Sequence, residues 1–540
     1  MASSSQTLTK HPVVVGLSLP AWVRRLATPS LSDCFFVAVL VWLFVAGANG
    51  WKGLLMDADA GWHIRTGEFI LDRHQVPHQD LFSFSKPGEP WFAWEWLSDV
   101  LLAGLFRWAG LKGVVLFAGV LIAVYSTVLL RLAFWLGSNA LAAMFATLLA
   151  VGSSSIHFLA RPHLFTLLLT PVSVWLIAAD RRRQSRWIWI LIPLTALWTN
   201  LHGGFLVLLA LLALLTIGTE IEHRLGRGSG GTRRYALLFL GCSAASLVNP
   251  YGWGLHAHIL SYLRSDWIRN VIVEFQSPSF RSESQMQFEA LLILGLVWCG
   301  LLLREKRVVE ALWVVFLAQS ALGSVRHAPL FAAVAGPLLA AEVSARWREW
   351  VAGARRASFT GIVHQLGEDL KPGFRRTGMW PAVVVLAIAC LNAPIQWPHD
   401  FPSEAFPVAM TSGHLELLAS GRVLTTDQWG DYLIFRSYPR QRVFVDGRSD
   451  FYGPEVGGEY LRLMHGSWDW EKIAEKYRFD VMLLPVDWPL VEQVKRHPDW
   501  RIVADDGHAV LLERKPRVVA AQGCRQSEGV EGTKETPGQG

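Results

Sequence analysis

The stretch Asp57-Ala58-Asp59-Ala60-Gly61-Trp62-His63-Ile64-Arg65 sets two carboxylates two residues apart, with an imidazole four residues beyond the second. If a helix starts near Asp59, residues four apart share a face and the groups converge. Such a group can bind a divalent cation, magnesium or manganese, or take a proton as a general base. The metal ligands would then be Asp57, Asp59 and His63. A plainer reading of the same spacing has Asp59 capping a helix and Asp57 solvated. Further on stand Asp80 and Glu95, the latter inside the aromatic run Trp91-Phe92-Ala93-Trp94-Glu95-Trp96. Tryptophan favours membrane–water interfaces. Its ring is also a flat platform for the apolar face of a sugar, and both readings can hold together.

A second set of polar residues sits at the ends of apolar runs. It comprises Arg161-Pro162-His163, Asn200-Leu201-His202-Gly203-Gly204, Asn249-Pro250-Tyr251-Gly252 and Arg326-His327. Each one alone reads as a cap or a snorkelling side chain. Together on one face they mark a cavity, because ionisable groups near membrane depth are costly and tend to be functional. Arginine and histidine gathered there suit an anionic phosphate. Near the C-terminus, 427–432 and 445–450 each follow an expected strand. Asp446-Gly447-Arg448 is either a turn with a structural ion pair or a pair that faces the cavity and touches substrate.

These residues need a membrane body to hold them. The chain has 540 residues, 52% hydrophobic and 17% charged, well below the roughly 25% charge of soluble domains. A spanning helix needs about 20 mainly apolar residues. That length test gives about eleven segments, near 32–50, 113–135, 139–156, 164–180, 187–200, 203–221, 235–249, 288–303, 307–323, 328–343 and 380–396. The fifth and seventh are short. Lys and Arg crowd alternate loops, from Arg24 and Arg25 through Arg181–Arg183, Arg233 and Arg234, Arg304–Arg307 and Arg346–Arg376. The positive-inside rule then puts the N-terminus in the cytoplasm. Residues 1–31 form a cytoplasmic tail, and 32–396 an all-α transmembrane domain with a large first outer loop at 51–112. A third outer segment, 251–287, reads as interfacial. Residues 397–516 read as a small extracytoplasmic α/β domain, with strands at 422–426, 442–446, 481–485, 501–504 and 508–513. Its expected helices lie at 428–437, 459–465, 470–477 and 490–496. The polar tail 517–540 reads as disordered. Net charge is +6, but it lies in loops, with no basic stripe for nucleic acid. The scattered cysteines show no CxxC spacing, which speaks against a disulfide framework or zinc site.

In chain order, the motifs Asp57–Gly67, Arg161–Phe165, Asn200–Gly204, Asn249–Gly252, Trp429–Leu433 and Asp446–Arg448 resemble a bacterial group within the GT-C superfamily of membrane glycosyltransferases. The resemblance spans most of 32–455. It implies sugar transfer from a polyprenyl-phosphate carrier to an acceptor on the outer face of the bacterial plasma (inner) membrane. The acceptor, whether glycan, lipid or protein, stays open. The resemblance implies that an acidic residue of the first outer loop is essential, here Asp59 or Asp57. The segment 59–65 distantly resembles the oligosaccharyltransferase catalytic subunit, where the loop Asp binds metal. Residues 427–432 loosely resemble that subunit's Trp-Trp-Asp-Tyr-Gly motif, but here it reads Trp429-Gly430-Asp431-Tyr432. Peptide recognition and the metal are therefore not carried over.

The expected reaction inverts the anomeric carbon, with Asp59 or Asp57 as base. His63, Arg65, Asp80, Glu95, Arg161, His163, Asn200, His202, Arg326, His327, Asp446 and Arg448 are the expected substrate and phosphate contacts. Two rivals remain at this stage. A transporter or flippase of lipid-linked sugars would need polar residues near the midplane and often paired repeats, which the helix interiors lack. A non-catalytic GT-C-like scaffold would keep the fold alone.

Overall fold

In the computed structural model of the chain, residues 20, 23, 26–46, 50–227, 230–374, 376–390, 395–516 and 538 are described. Most of the N-terminal tail with Arg24 and Arg25, residue Arg375, and the 517–540 tail except 538 lie outside the described residues.

Each expected apolar segment falls on helix. Six helices are long and apolar enough to cross a membrane: Trp96–Leu136, Ala140–His157, His163–Arg182, Gly203–Arg224, Glu283–Arg304 and Val325–Val351. The helices Leu31–Val45, Val308–Gly323 and Trp380–Cys390 are apolar but shorter. Segments 187–200 and 235–249 fall on Leu191–Leu201 and Thr232–Ala245. At 1.5 Å per residue the described parts of these five are about 17–24 Å long, against a hydrocarbon core of about 30 Å. Among the described residues, six helices thus meet the length test by themselves, and the other five expected segments are shorter apolar helices. The bundle surface carries exposed Phe145, Leu240, Ile293 and Val297. Such a belt is disfavoured in water and at home in lipid. Inside, Trp198 and Trp313 are fully buried, and Trp313 donates its indole N–H to Leu211 O at 2.9 Å.

The first spanning helix starts earlier than expected, at Trp96. It breaks at Ala109 and Gly110, where Gly110 takes φ +62°. A positive φ is costly for any residue with a Cβ, and glycine permits the turn. The break separates a first piece, which continues the aromatic run, from the apolar piece beyond Gly110. At the far end of the bundle, Arg181 pairs with Glu222 at 2.8 Å and Glu310 at 3.2 Å, tying three helix ends together.

The C-terminal domain has a four-stranded sheet: β1 (Val423–Leu424), β2 (Val481–Pro485), β3 (Trp500–Asp505) and β4 (Ala509–Arg514), in the order β1-β2-β4-β3. The β1–β2 pair is parallel and the others are antiparallel. Helices Val408–Gly413, Leu415–Ser420, Asp427–Ser437, Ser449–Met464, Trp470–Tyr477 and Pro489–Arg496 complete the domain among the described residues. The expected strand at 442–446 is not in this sheet. Val443 instead bridges Ser83 of the first loop, exchanging hydrogen bonds with Phe84 N–H and Phe82 O at 2.9 Å each. Its alternating apolar residues satisfy their backbone against another segment, a choice that strand periodicity cannot reveal.

That bridge fastens the domain onto the first loop. Helix Asp59–Arg73 packs on Asp427–Ser437 at Gly61, where a Cβ would stand 2.8 Å from Asp431 O and 2.9 Å from Phe435 Cβ. A side chain at 61 would push apart the two helices that carry Asp59 and Asp431. Segment 251–287 folds as short helices, Trp253–Arg264, Asp266–Val271 and Val273–Phe275, and closes the third side.

Candidate active site

These three pieces roof one cavity of about 430 Å³ that opens into the bundle. Its lower walls are apolar: Leu167, Leu206, Val207, Ala210, Leu317 and Leu330. Its roof is polar, with Asp59, Glu95, Arg161, Glu274, Arg326 and Asp450 among the lining residues. His157, His163, His202 and His327 also line it.

Asp59 is the first residue of its helix and is buried. Its backbone N–H donates to Asp57 Oδ1 at 2.9 Å, so Asp57, not Asp59, caps this turn. Arg161 spans both carboxylates, with Nη1 at 2.6 Å from Asp57 Oδ2 and Nη2 at 2.5 Å from Asp59 Oδ2. The Asp431 carboxyl comes in beside Asp59 from the C-terminal domain. Gly447 N–H donates to both oxygens of Asp431, at 3.0 and 3.1 Å. Gly447 must be glycine here, because a methyl would overlap Asp59 Oδ1 and stand 2.8 Å from Asp431 Oδ2. Burial raises the Asp59 pKa to about 7, and Asp57 adds to the rise while Arg161 opposes it. Burial and then Asp59 push Asp431 well above the usual carboxylate range. The hydrogen bond from Asp431 favours the ionised form of Asp59, while the charge of Asp59 disfavours ionisation of Asp431. Asp59 is therefore poised to exchange a proton near neutral pH.

Behind Asp59 runs a buried relay. His63 Nδ1 lies 2.6 Å from Asp99 Oδ1, and Nε2 lies 3.5 Å from Glu95 Oε2. The other Glu95 oxygen is 3.3 Å from His202 Nε2. His202 Nδ1 in turn meets Thr166 Oγ1 at 2.8 Å and accepts from Gly204 N–H at 2.9 Å. Burial raises Glu95 to about 8, Arg161 opposing. Burial, reinforced by Arg161, holds His63 well below its ordinary value. His63 is thus neutral and Glu95 carries its proton at neutral pH, able to donate a hydrogen bond into the cavity.

Positive charge flanks this centre. Arg326 donates to Tyr262 Oη at 3.2 Å and stands over the Phe275 ring. Arg161 also reaches Glu274, 4.0 Å away. Burial pushes the Glu274 pKa up, but Arg161 and Arg326 outweigh it and hold it below the usual range.

The structure brings Asp59, Glu95, Arg161, His163, His202, Arg326, His327 and Arg448 to the cavity wall. It does not bring the other expected contacts there. Arg65 donates to Phe435 O at 2.9 Å, locking the two packed helices together, and pairs within its own helix with Glu68 at 2.6 Å. Asp80 takes the N–H of Phe82 and Ser83 and pairs with Arg448 at 2.8 Å. Asn200 is used up by Trp96 Nε1, Ala196 O and Val248 O. Asp446 is sealed by Arg448 at 2.6 Å and Tyr452 at 2.7 Å. Asp57 holds Arg161 and the helix turn, and His63 stands behind the wall. Sequence reasoning omitted Asp99, Asp431 and Glu274. Asp99 had a signal, since it lies four residues after Glu95. Glu274 is an acid within the apolar run Val271–Phe275. Asp431 stood in a motif already singled out.

The expected metal set does not fit. Arg161 occupies Asp57 and Asp59, and His63 turns to Asp99. Among the described residues no group of three or more His, Cys, Asp or Glu is arranged to hold a metal ion.

No family model matches the sequence, and no curated protein matches it. Solved structures do. The archaeal oligosaccharyltransferase AglB from Archaeoglobus fulgidus, in complex with an inhibitory peptide and a dolichol-phosphate, is similar with a TM-score of 0.56 at 11% identity. The match covers 91% of this chain and 75% of that one. The Archaeoglobus fulgidus oligosaccharyltransferase tethered to an acceptor peptide gives 0.50 at 12% identity, covering 84% and 68%. ArnT from Cupriavidus metallidurans gives 0.48 at 14%, covering 89% and 97%. The chain thus shares its membrane fold with the archaeal oligosaccharyltransferase.

Proposed function

We propose that the protein is a membrane glycosyltransferase that moves a sugar from a polyprenyl-phosphate donor to an acceptor hydroxyl, inverting the anomeric carbon. The observation that carries this reading is the cavity, apolar below and polar above, with Asp59 and Arg161 at its roof. The apolar walls suit a prenyl chain, and the basic roof suits its phosphate. The similar archaeal enzyme holds dolichol-phosphate, a lipid of the same chemistry.

In the proposed step the acceptor oxygen attacks the anomeric carbon as the carbon–oxygen bond to the phosphate breaks. Asp59 takes the acceptor proton. The bonding electrons leave with the lipid phosphate. Arg161 and Arg326 offer guanidinium donors to the charge that develops there. Arg161 pairs with Asp57 and Asp59 in the substrate-free protein, and moving to the phosphate would free Asp59 as base. Protonated Glu95 donates to a sugar hydroxyl and fixes the donor's orientation. The cation proposed from sequence has no ligand set here, so no step passes through it. We further place this cavity on the extracytoplasmic side of the bacterial plasma membrane, on the strength of the loop charges.

Purified protein given a panel of polyprenyl-phosphate sugars and acceptors tests the reading, with release of polyprenyl phosphate coupled to a new glycosidic bond as the readout. Movement of sugar across vesicles with no new bond would mark a carrier of lipid-linked sugars instead.

A further inference from the structure

On the same cavity wall, Asp450 and His258 form a pair that the proposed transfer does not use. Asp450 Oδ2 lies 3.1 Å from His258 Nε2. Among the described residues, Asp450 Oδ1 has no hydrogen-bond partner, and Asp450 lines the cavity. The His258 ring stacks on Phe92 at 4.3 Å and meets the Trp94 ring edge-on at 5.1 Å. Trp94 in turn meets Tyr262 at 5.6 Å, and Phe92, Trp94 and Tyr262 all line the cavity.

An acid in the first turn of helix Ser449–Met464 is expected from the helix dipole alone. The dipole does not explain why this one points into the cavity beside three aromatic rings and is held by a histidine from another segment. A carboxylate oxygen open to a cavity and flanked by aromatic faces is the recognition chemistry of a pyranose. The carboxylate accepts from ring hydroxyls, and the rings cover the apolar C–H face. The location also fits. Gly447 stands against Asp59, and three residues reach at most about 11 Å, so Asp450 lies close to the proposed base along one short strap.

We propose that Asp450, Trp94 and Phe92 form the acceptor subsite and that it takes a polyhydroxylated sugar, with Asp450 binding its hydroxyls. His258 is a positioning residue that aims the Asp450 carboxylate. This rests on the glycosyltransferase reading above for what the subsite serves, but its binding is measurable without turnover.

The test is saturation-transfer NMR on the purified full chain. One arm presents methyl pyranosides and disaccharides, another short hydrophilic peptides, and a third a short-chain polyprenyl phosphate. The expected result is that pyranosides bind and that D450N and W94L weaken them about tenfold or more, the cost of a charged hydrogen bond or a lost stacking face. W94F, which keeps an aromatic face, and H258Q, which keeps an N–H donor, retain most of the binding, while H258A loses it. Polyprenyl phosphate binds all variants alike, which also shows that they are folded. Unchanged pyranoside binding in D450N and W94L overturns the proposal. So does a wild type that binds polyprenyl phosphate but no pyranoside, or binding of peptides in their place. If polyprenyl phosphate fails to bind wild type while pyranosides depend on Asp450, the subsite stands and the lipid-donor reading falls.

Discussion

Arg161 Nη2 stands 2.5 Å from Asp59 Oδ2, and the same guanidinium holds Asp57 at 2.6 Å. Two carboxylates two residues apart are thus reconciled by a cation 104 residues from Asp57. Removing that cation leaves two like charges side by side in a largely buried setting. Breaking such a pair costs about 3–5 kcal/mol when fully buried. Arg161 keeps 24% exposure, so R161Q should cost nearer 2 kcal/mol. The measurement is the thermal unfolding midpoint in detergent. It should fall in R161Q and recover in part in R161Q/D57N, where one of the opposed charges is gone.

The pH dependence follows from burial. As a base, Asp59 must be ionised, and its pKa is raised to about 7. The rate of transfer should therefore rise with pH through about 7 and level off above it. Asp57 contributes to the rise, so D57N should move the midpoint lower. The check is a profile of kcat/KM between pH 5 and pH 9, an arbitrary range of about two units either side of the midpoint.

Stability should run the other way. Glu95 is raised to about 8, so its folded form holds a proton that the unfolded chain has already lost. A group whose pKa is raised on folding stabilises at low pH, and that contribution is lost as pH rises through the folded value. The substrate-free protein should unfold at a lower temperature at pH 9 than at pH 6, and E95Q should flatten that slope.

Gly447→Ala places a methyl where Asp59 Oδ1 and Asp431 Oδ2 now converge. The backbone must shift or the carboxylates must part. Misplacement on that scale costs about 10²-fold in rate. Expression and lipid-phosphate binding should persist while turnover drops.

Ala210 lies in the apolar wall of the cavity. A210F should hinder a long prenyl chain and spare a short one. KM for a long-chain donor should rise by about tenfold or more, the scale of one misfit group in an apolar pocket. KM for a short-chain analogue should change little.

Much of this body was legible in the chain. Apolar run lengths gave the helices, and the motif at 57–67 gave the helix start at Asp59. The corners Arg161-His163, His202 and Arg326-His327 could be grouped because they end apolar runs. What escaped was set by distant packing. The run Val443-Phe444-Val445 alternates like a sheet strand, yet it pairs with Phe82–Phe84. Arg65 has the chemistry of a phosphate contact, and only the approach of Phe435 O turns it into a brace. Asp446 and Arg448 are adjacent in pattern but divide in role, since Tyr452 and Arg448 seal the acid while Arg448 reaches the wall. Asp431 could not be joined to Asp59 because nothing local links the two helices that meet at Gly61.

The most direct measurement is turnover of a polyprenyl-phosphate sugar by D59N, with polyprenyl-phosphate binding recorded on the same preparation. Loss of a general base costs about 10²–10⁴-fold. The account predicts a fall in kcat within that span, with lipid-phosphate binding kept. Undiminished turnover in D59N would contradict it.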